Sequence, residues 1–390
     1  MNGIAIKNNI LNTIHNFSRD SIFRSTIIRN INLDLCDDNQ KRAVIIYINQ
    51  NLLVDVEGQE LYRTNILEMN QILKVFINLN YSIDLIHCQD FDNVRNLMEK
   101  SYAIIFGFGN NFHSLCKNNP MAKKIMYVTE NHPKISYEKE KERVDYFYNR
   151  HRRKIEMDRS FKYYKEEHFD LVDHAIILGE VTPYEKYEFD KSVISPTGFY
   201  NKNYVLKKRN FEVSKRNFLW FGSNGAIHKG LDLLIDIFKH REDIVLHVCG
   251  LNDKDSKLLN FAPKFNIINY GKINVQSEKF LELVNTCSFV VLPSCSEGFS
   301  TSITTCMRHS MIPIVMKDTG FNRLEEKAFF LESYKLEYIE KELNSIININ
   351  DELINEMHKE IYEFANKEFL LKNFNDKFKA IINNIDKGLE

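Results

Sequence analysis

The chain has 390 residues, 44% of them hydrophobic, with 52 Lys and Arg against 53 Asp and Glu. That length exceeds what one hydrophobic core usually supports, so two domains are expected, and the apolar share excludes wholesale disorder. A net charge of −1 argues against a nucleic-acid partner held by massed phosphate contacts, and no apolar run nears the roughly 20 residues of a membrane-spanning helix.

The chain opens with MNGIAIKNNILNTIHNFSRD, which Lys and Asn interrupt and which lacks the apolar centre of a secretory signal. Residues 1–40 read as an extension of the first domain. Phe23, Ile27 and Ile28 would suit an amphipathic surface helix, but an arm docked on the protein's own surface is the better reading. AVIIYI (43–48) then reads as a buried strand, LEMNQILKVFINLN (67–80) as a helix and SIDLIHC (82–88) as the next strand. AIIFGFG (103–109), KIMYVTE (124–130) and HAIILGE (174–180) continue the strands, with a long charged helix expected over 136–170. The stretch 195–217 holds Pro, Gly and many basic residues with little periodicity, and marks the domain boundary.

The pattern then restarts. NFLWFGS (217–223), IVLHVCG (244–250), NIINYG (266–271), SFVVLPS (288–294) and MIPIVM (311–316) are strands. KGLDLLIDIFKH (229–240) and SEKFLELVNTC (277–287) have helical period. Strands alternating with helices imply a parallel sheet in each block, 41–205 and 206–371. Phe374, Phe378, Ile381, Ile382 and Ile385 share one face of a last helix within 372–390. Seven scattered cysteines, with no CxxC pair or metal-ligand spacing, suit a reducing compartment, so a cytoplasmic protein is expected.

Ligands of open parallel sheets bind beyond the C-terminal strand ends. Three such ends stand out in the second block. In FGSNGAIHKG (221–230) a strand ends at Gly222, and Lys229 opens a helix whose free N–H groups attract phosphate. In SCSEGFSTS (294–302) Gly298 lets backbone approach a ligand, and Glu297 is an acceptor for sugar hydroxyls. Asp318-Thr319-Gly320 leaves a third strand end and taken alone is only a turn.

In this order the pieces resemble the retaining GT-B glycosyltransferases of family four, most closely over 217–325. The resemblance implies two Rossmann-like domains facing a central cleft. The second would hold a nucleoside-diphosphate sugar and the first the acceptor, and a last helix would cross back to the first domain. It further implies that Lys229 contacts the donor diphosphate and that Glu297, the first acid of an E-x7-E motif, lies by the donor sugar. Gly298, Phe299, Ser300 and Thr301 would lend backbone contacts, and Gly222 and Ser223 would line the donor loop. Two departures stand out: Thr305 occupies the second acid position, and Ser223 stands where the family often has a phosphate-binding Arg. Donor phosphates would then need a further cation, with Arg308 a candidate.

On the acceptor side, KIMYVTENHP (124–133) ends a strand at Glu130 and His132, either of which would hydrogen-bond the donor sugar or the acceptor hydroxyl. FGFGNNF (106–112) places two glycines at another strand end, for phosphates or a tight turn. Arg150, Arg152, Arg153 and Arg159 would attract an anionic acceptor or lipid phosphate, although interleaved acids favour a solvated, salt-bridged helix. Asp253-Lys254-Asp255 and Asp90-Phe91-Asp92 match the metal-binding string of GT-A transferases but read as surface loops.

The leading function is sugar transfer from a nucleotide-sugar co-substrate to a glycan, lipid-linked or protein-linked acceptor. No metal or other cofactor and no nucleic acid is expected, and a lipid-linked acceptor would place the protein at the inner face of the cytoplasmic membrane. The alternative is a non-catalytic GT-B-like glycan-binding or partner subunit of a transferase complex. A sugar-nucleotide epimerase ranks third.

Overall fold

A computed structural model describes residues 27–48, 64–317 and 319–389. It contains two separate sheets, each with its own apolar core. The first sheet contains β1 (Ile28–Ile31), β2 (Arg42–Tyr47), β3 (Ser82–His87), β4 (Ile104–Gly107), β5 (Lys123–Val128), β6 (His174–Ile177) and β7 (Asp190–Val193). Their order is β1-β3-β2-β4-β5-β6-β7, parallel except for β1. The second contains β8 (Asn217–Phe221), β9 (Val245–Cys249), β10 (Ile267–Asn269), β11 (Phe289–Leu292), β12 (Ile312–Met316) and β13 (Phe329–Leu331). It runs β10-β9-β8-β11-β12-β13, parallel throughout.

Strands covered on both faces are near-continuous apolar runs, and AVIIY of β2 and FVVL of β11 are buried end to end. Helices α1 (Thr64–Asn78), α2 (Gly109–Asn118) and α3 (Pro133–His151) belong to the first block. The second holds α4 (Phe211–Ser214), α5 (Leu231–Phe238), α6 (Asp253–Leu259), α7 (Glu278–Thr286), α8 (Thr301–Met307), α9 (Leu336–Ile347) and α10 (Asp351–Glu368). The last helix, α11 (Leu371–Lys387), returns to the first block: Phe374, Phe378 and Ile382 join its core, and Phe378 lies edge-on to Phe106 at 5.5 Å.

Three local expectations are corrected. The surface helix weighed for residues 1–40 is not what Ile28–Ile31 form: they make a strand against β3, and residues 1–26 lie outside the described part. The helix expected over 136–170 ends at His151, with Arg152 in the left-handed region. The chain then doubles back because Glu140, buried on α3, collects the backbone N–H groups of Asp158, Arg159 and Ser160 at 3.1, 3.2 and 2.7 Å. Finally, the Asp255 carboxylate is not a surface-loop group. It is buried and accepts from the backbone N–H of Gly225 and Ala226 at 2.9 and 3.2 Å, fixing the turn after β8.

Sheet order positions the site. In the second sheet the chain moves outward from β8 on one side through β9 and on the other through β11. The crevice at that reversal is the expected ligand position of an open α/β sheet. The loops after β8 and β11, which carry Lys229 and Glu297, both open there.

Candidate functional site

Lys229 and Glu297 come from these two loops and meet as an ion pair, Nζ to Oε1 at 2.5 Å, with side chains only 8% and 9% exposed. Local packing fixes both. Gly225, at φ +84°, and Gly230, at φ +71°, allow the turn, and a side chain at Gly230 would strike Pro293 at 2.4 Å. The Lys229 carbonyl accepts from the Trp220 indole N–H at 3.1 Å. Ser294 donates to the same Glu297 oxygen at 3.0 Å. Burial pushes the Glu297 pKa up, but Lys229, Arg159 and His228 outweigh it and hold the group at about 2. It is therefore an ionised acceptor at neutral pH.

Glu297 of this pair lines a cavity of about 120 Å³ shared with the first domain, walled also by Glu130, Arg159, His228, Ser296 and Gly298, while Lys229 lies behind it. The domains touch at its rim. Ser136 and Ser296 hydroxyls lie 2.8 Å apart, and a side chain on Gly298 would stand 2.2 Å from the Thr129 carbonyl oxygen. The volume falls below the roughly 300–1,000 Å³ of small-molecule pockets.

Glu130 lies in this cavity, 3.4 Å from Arg159 Nη2, and burial raises its pKa against the pull of Arg159 and His228. His228 is buried, with Nε2 2.7 Å from the Ser296 carbonyl and Nδ1 3.3 Å from Cys295 Sγ and 3.7 Å from Glu140. Burial works against its charge, yet the Cys295 sulfur and Glu140 raise its pKa to about 10. Glu140 itself stays ionised at about 2 despite burial, through His228 and Ser160.

Other sequence candidates lie elsewhere. His132 does not line the cavity. It caps α3, accepting from Lys134 N at 3.3 Å, while Nε2 bonds Tyr187 Oη at 2.9 Å among Phe169, Tyr184 and Tyr187. Burial lowers its pKa to about 4, so it is neutral. The Thr305 hydroxyl is also engaged: it donates to Thr301 O at 2.7 Å and accepts from Phe199 N at 3.0 Å. Arg308 donates to Gly198 O at 2.6 Å and Asn366 at 3.1 Å, tying linker to helix rather than facing the cavity. Phe299 is a core side chain against Phe321, Phe369 and Arg323. Ser300 and Thr301 begin α8, and Ser223 is exposed. Gly222 packs on the Trp220 ring, where a side chain would meet it at 2.3 Å. Gly320 donates to Glu297 O at 3.2 Å, and Asp318 lies outside the described residues.

Sequence reasoning missed Glu140 and His228, and placed Arg159 on a solvated helix. The helix that bears Glu140, α3, docks on the second domain through buried ion pairs. Arg143 and Arg150 both bond Asp232, and Arg150 and His151 reach Asp236. Among the described residues no group of three or more His, Cys, Asp or Glu is placed to hold a metal ion.

Comparison with known proteins bears on the fold. Residues 205–367, less than half of the chain, match the family model described as glycosyl transferases group 1. No curated protein sequence matches. Among solved structures, sucrose-phosphate synthase from Thermosynechococcus elongatus is similar, with TM-score 0.62 and 10% identity over 89% of this chain and 100% of that one. HepE from Anabaena, in complex with UDP and glucose, gives 0.54 and 12% over 88% and 100%. TarM gives 0.50 and 15% over 72% and 54%, so this chain spans about half of TarM's length. At these identities the likeness shows the fold: two Rossmann-like domains in the GT-B arrangement.

Proposed function

We propose that this protein transfers a sugar from a nucleoside-diphosphate sugar to a hydroxyl of a glycan, lipid-linked or protein-linked acceptor, with retention at the anomeric carbon. The observation that carries this is the buried Lys229–Glu297 pair at the reversal point of the second sheet, with Glu297 lining the cavity shared with the first domain. The family match over 205–367 and the similarity to a UDP- and glucose-bound structure support it.

In this reading Lys229 turns to the donor diphosphate and stabilises the negative charge that grows on it as the anomeric C–O bond breaks. Glu297, an ionised acceptor, holds sugar hydroxyls. The backbone of Gly298, Phe299, Ser300 and Thr301 borders the sugar and phosphates. The acceptor oxygen forms the new bond, and its proton passes to the departing phosphate oxygen. Glu130, at the facing strand end, orients the acceptor hydroxyl or the sugar. No resident cofactor or metal is required. None of the described helices is long and apolar enough to cross a membrane, so contact with a lipid-linked acceptor would be peripheral.

Thr305 favours a second reading. Its hydroxyl is already bonded on both sides and offers no carboxylate to a ribose diol, as suits a non-catalytic partner subunit. Thermal unfolding with UDP, GDP, ADP and CMP separates the two. A ligand of the native state at a hundred times its dissociation constant stabilises by about 2.7 kcal/mol. The transferase reading expects one nucleotide to raise the melting temperature and turnover of sugars on that base to follow. No shift with any of the four nucleotides, and no turnover, would favour the partner subunit.

A further inference from the structure

The donor loop has Ser223 where a cation is expected, and the first domain brings one to the cavity that His228 of this loop lines. Arg159 lines the cavity with its side chain 28% exposed, and a side chain on Gly225 of the donor loop would lie 4.0 Å from Arg159 Nη1. Its one direct carboxylate contact is a long one, Nη2 to Glu130 Oε1 at 3.4 Å, with Glu297 and Asp158 near enough to favour its charge. A guanidinium fork matches phosphate oxygens in pairs, which Lys cannot do.

Its placement is built from both domains. The Glu140 carboxylate binds three successive backbone N–H groups, that of Arg159 in the middle, and also accepts from the Ser160 hydroxyl. His228, next to Lys229 in sequence, lies 3.7 Å from Glu140. The helix bearing Glu140 is latched to α5, the helix that Lys229 precedes, by Arg143 and Arg150 on Asp232. A buried acid spent on holding one short loop against a cavity is costly unless the loop's side chain has work there.

We propose that Arg159 is the second cation of the donor diphosphate site, delivered from the first domain in place of the charge that Ser223 lacks. This rests on the nucleotide-sugar reading above. Donor phosphates are then gripped from both domains at once, so nucleotide binding and cleft closure are one event.

The test is calorimetric binding of UDP, GDP and ADP and of their monophosphates to wild type, Arg159→Met, Arg159→Lys and the double variant Arg159→Met/Ser223→Arg. The diphosphate that binds wild type is expected to weaken roughly 10- to 100-fold in Arg159→Met, the loss of a charge-assisted hydrogen bond. Its monophosphate should weaken less than threefold. Arg159→Lys should fall between, and Ser223→Arg should recover part of the loss. Arg159→Lys keeps the charge and serves if the Met variant does not fold. Equal weakening of mono- and diphosphate, or wild-type diphosphate affinity in Arg159→Met, overturns the assignment and leaves the donor site standing. Wild type that binds none of these nucleotides overturns the donor reading and this assignment with it.

Discussion

Replacing Lys229 by Met removes a charge and keeps most of the volume. Glu297 would retain only Ser294 within hydrogen-bond reach, at 3.0 Å, with its side chain 9% exposed. Stripping one partner from a buried ion pair costs about 3–5 kcal/mol. Arg159 and His228 still favour the carboxylate, which places the expected cost near the lower end. The pH dependence gives the sign. In wild type the Glu297 pKa is depressed to about 2, so its contribution is full above the unfolded carboxylate value and is lost as pH falls through about 2. Without Lys229 burial dominates and the pKa rises. The deficit then vanishes only near pH 2, grows as pH climbs from there, and levels off once the variant's Glu297 ionises as well. At about 2–4 °C per kcal/mol for a domain of this size, Lys229→Met should melt roughly 6–12 °C below wild type at pH 8. The gap should narrow at pH 4.5. Lys229→Met/Glu297→Gln should recover most of it. Thermal unfolding followed by circular dichroism across that range reads all three. Equal melting temperatures at pH 8, or no recovery in the double variant, would refute the claim that Lys229 is what keeps Glu297 charged.

Three further outcomes follow from the same structure. Gly298→Ala places a methyl 2.2 Å from Thr129 O; overpacking of about 1–3 kcal/mol should cut turnover roughly 5- to 150-fold without changing helix content, and wild-type turnover would mean the loops separate freely. Burial raises the Glu68 pKa from 4.5 to about 7, although it accepts from Thr197 N at 2.7 Å. A raised carboxylate stabilises below its unfolded value and loses that as pH rises through about 7, here roughly 3 kcal/mol, so Glu68→Gln should flatten the stability–pH slope between those values. An unchanged slope would contradict it. Asp232→Ala strands Arg143, while Arg150 keeps Asp236, and should cost about 3–5 kcal/mol in denaturant titration; Arg143→Met/Asp232→Leu should lose much less.

What could be read from the chain divides along a physical line. The alternation of buried strands and helices was legible because parallel strands are continuous apolar runs, as in AVIIY and FVVL. The loops of Lys229 and Glu297 were legible because glycine and a strand end mark them locally. Short β7, with the sequence DKSV, and β13 carry too little pattern to be separated from loops. Arg159 was not separable from the other arginines of its charged stretch. What distinguishes it is Glu140, whose hold on 158–160 is a tertiary contact with no local signal. His132 shows the converse. A strand-end His looks like a site residue, and only the rings of Phe169, Tyr184 and Tyr187 around it reveal an inward-facing cap. Thr305 announced its departure from the acid pattern but not its new partner, which comes from the linker.

That linker crosses between the domains beside the returning chain, Gly198 N–H bonded to Phe369 O at 3.1 Å. On the second-domain side it is riveted: Thr304 to Thr197 O, Thr305 to Phe199 N, Arg308 to Gly198 O and His309 to Asn201 N. Toward the first domain, the Glu68 carboxylate holds Thr197 N and α11 begins only at Leu371. Mechanically, 197–201 is a handle welded to the second-domain jaw, and the bearing lies at its other end. Two parallel bearings leave a jaw one swing axis where a single one would let it wobble. The arc along which one domain can move against the other is thereby set by the spacing of two chain crossings.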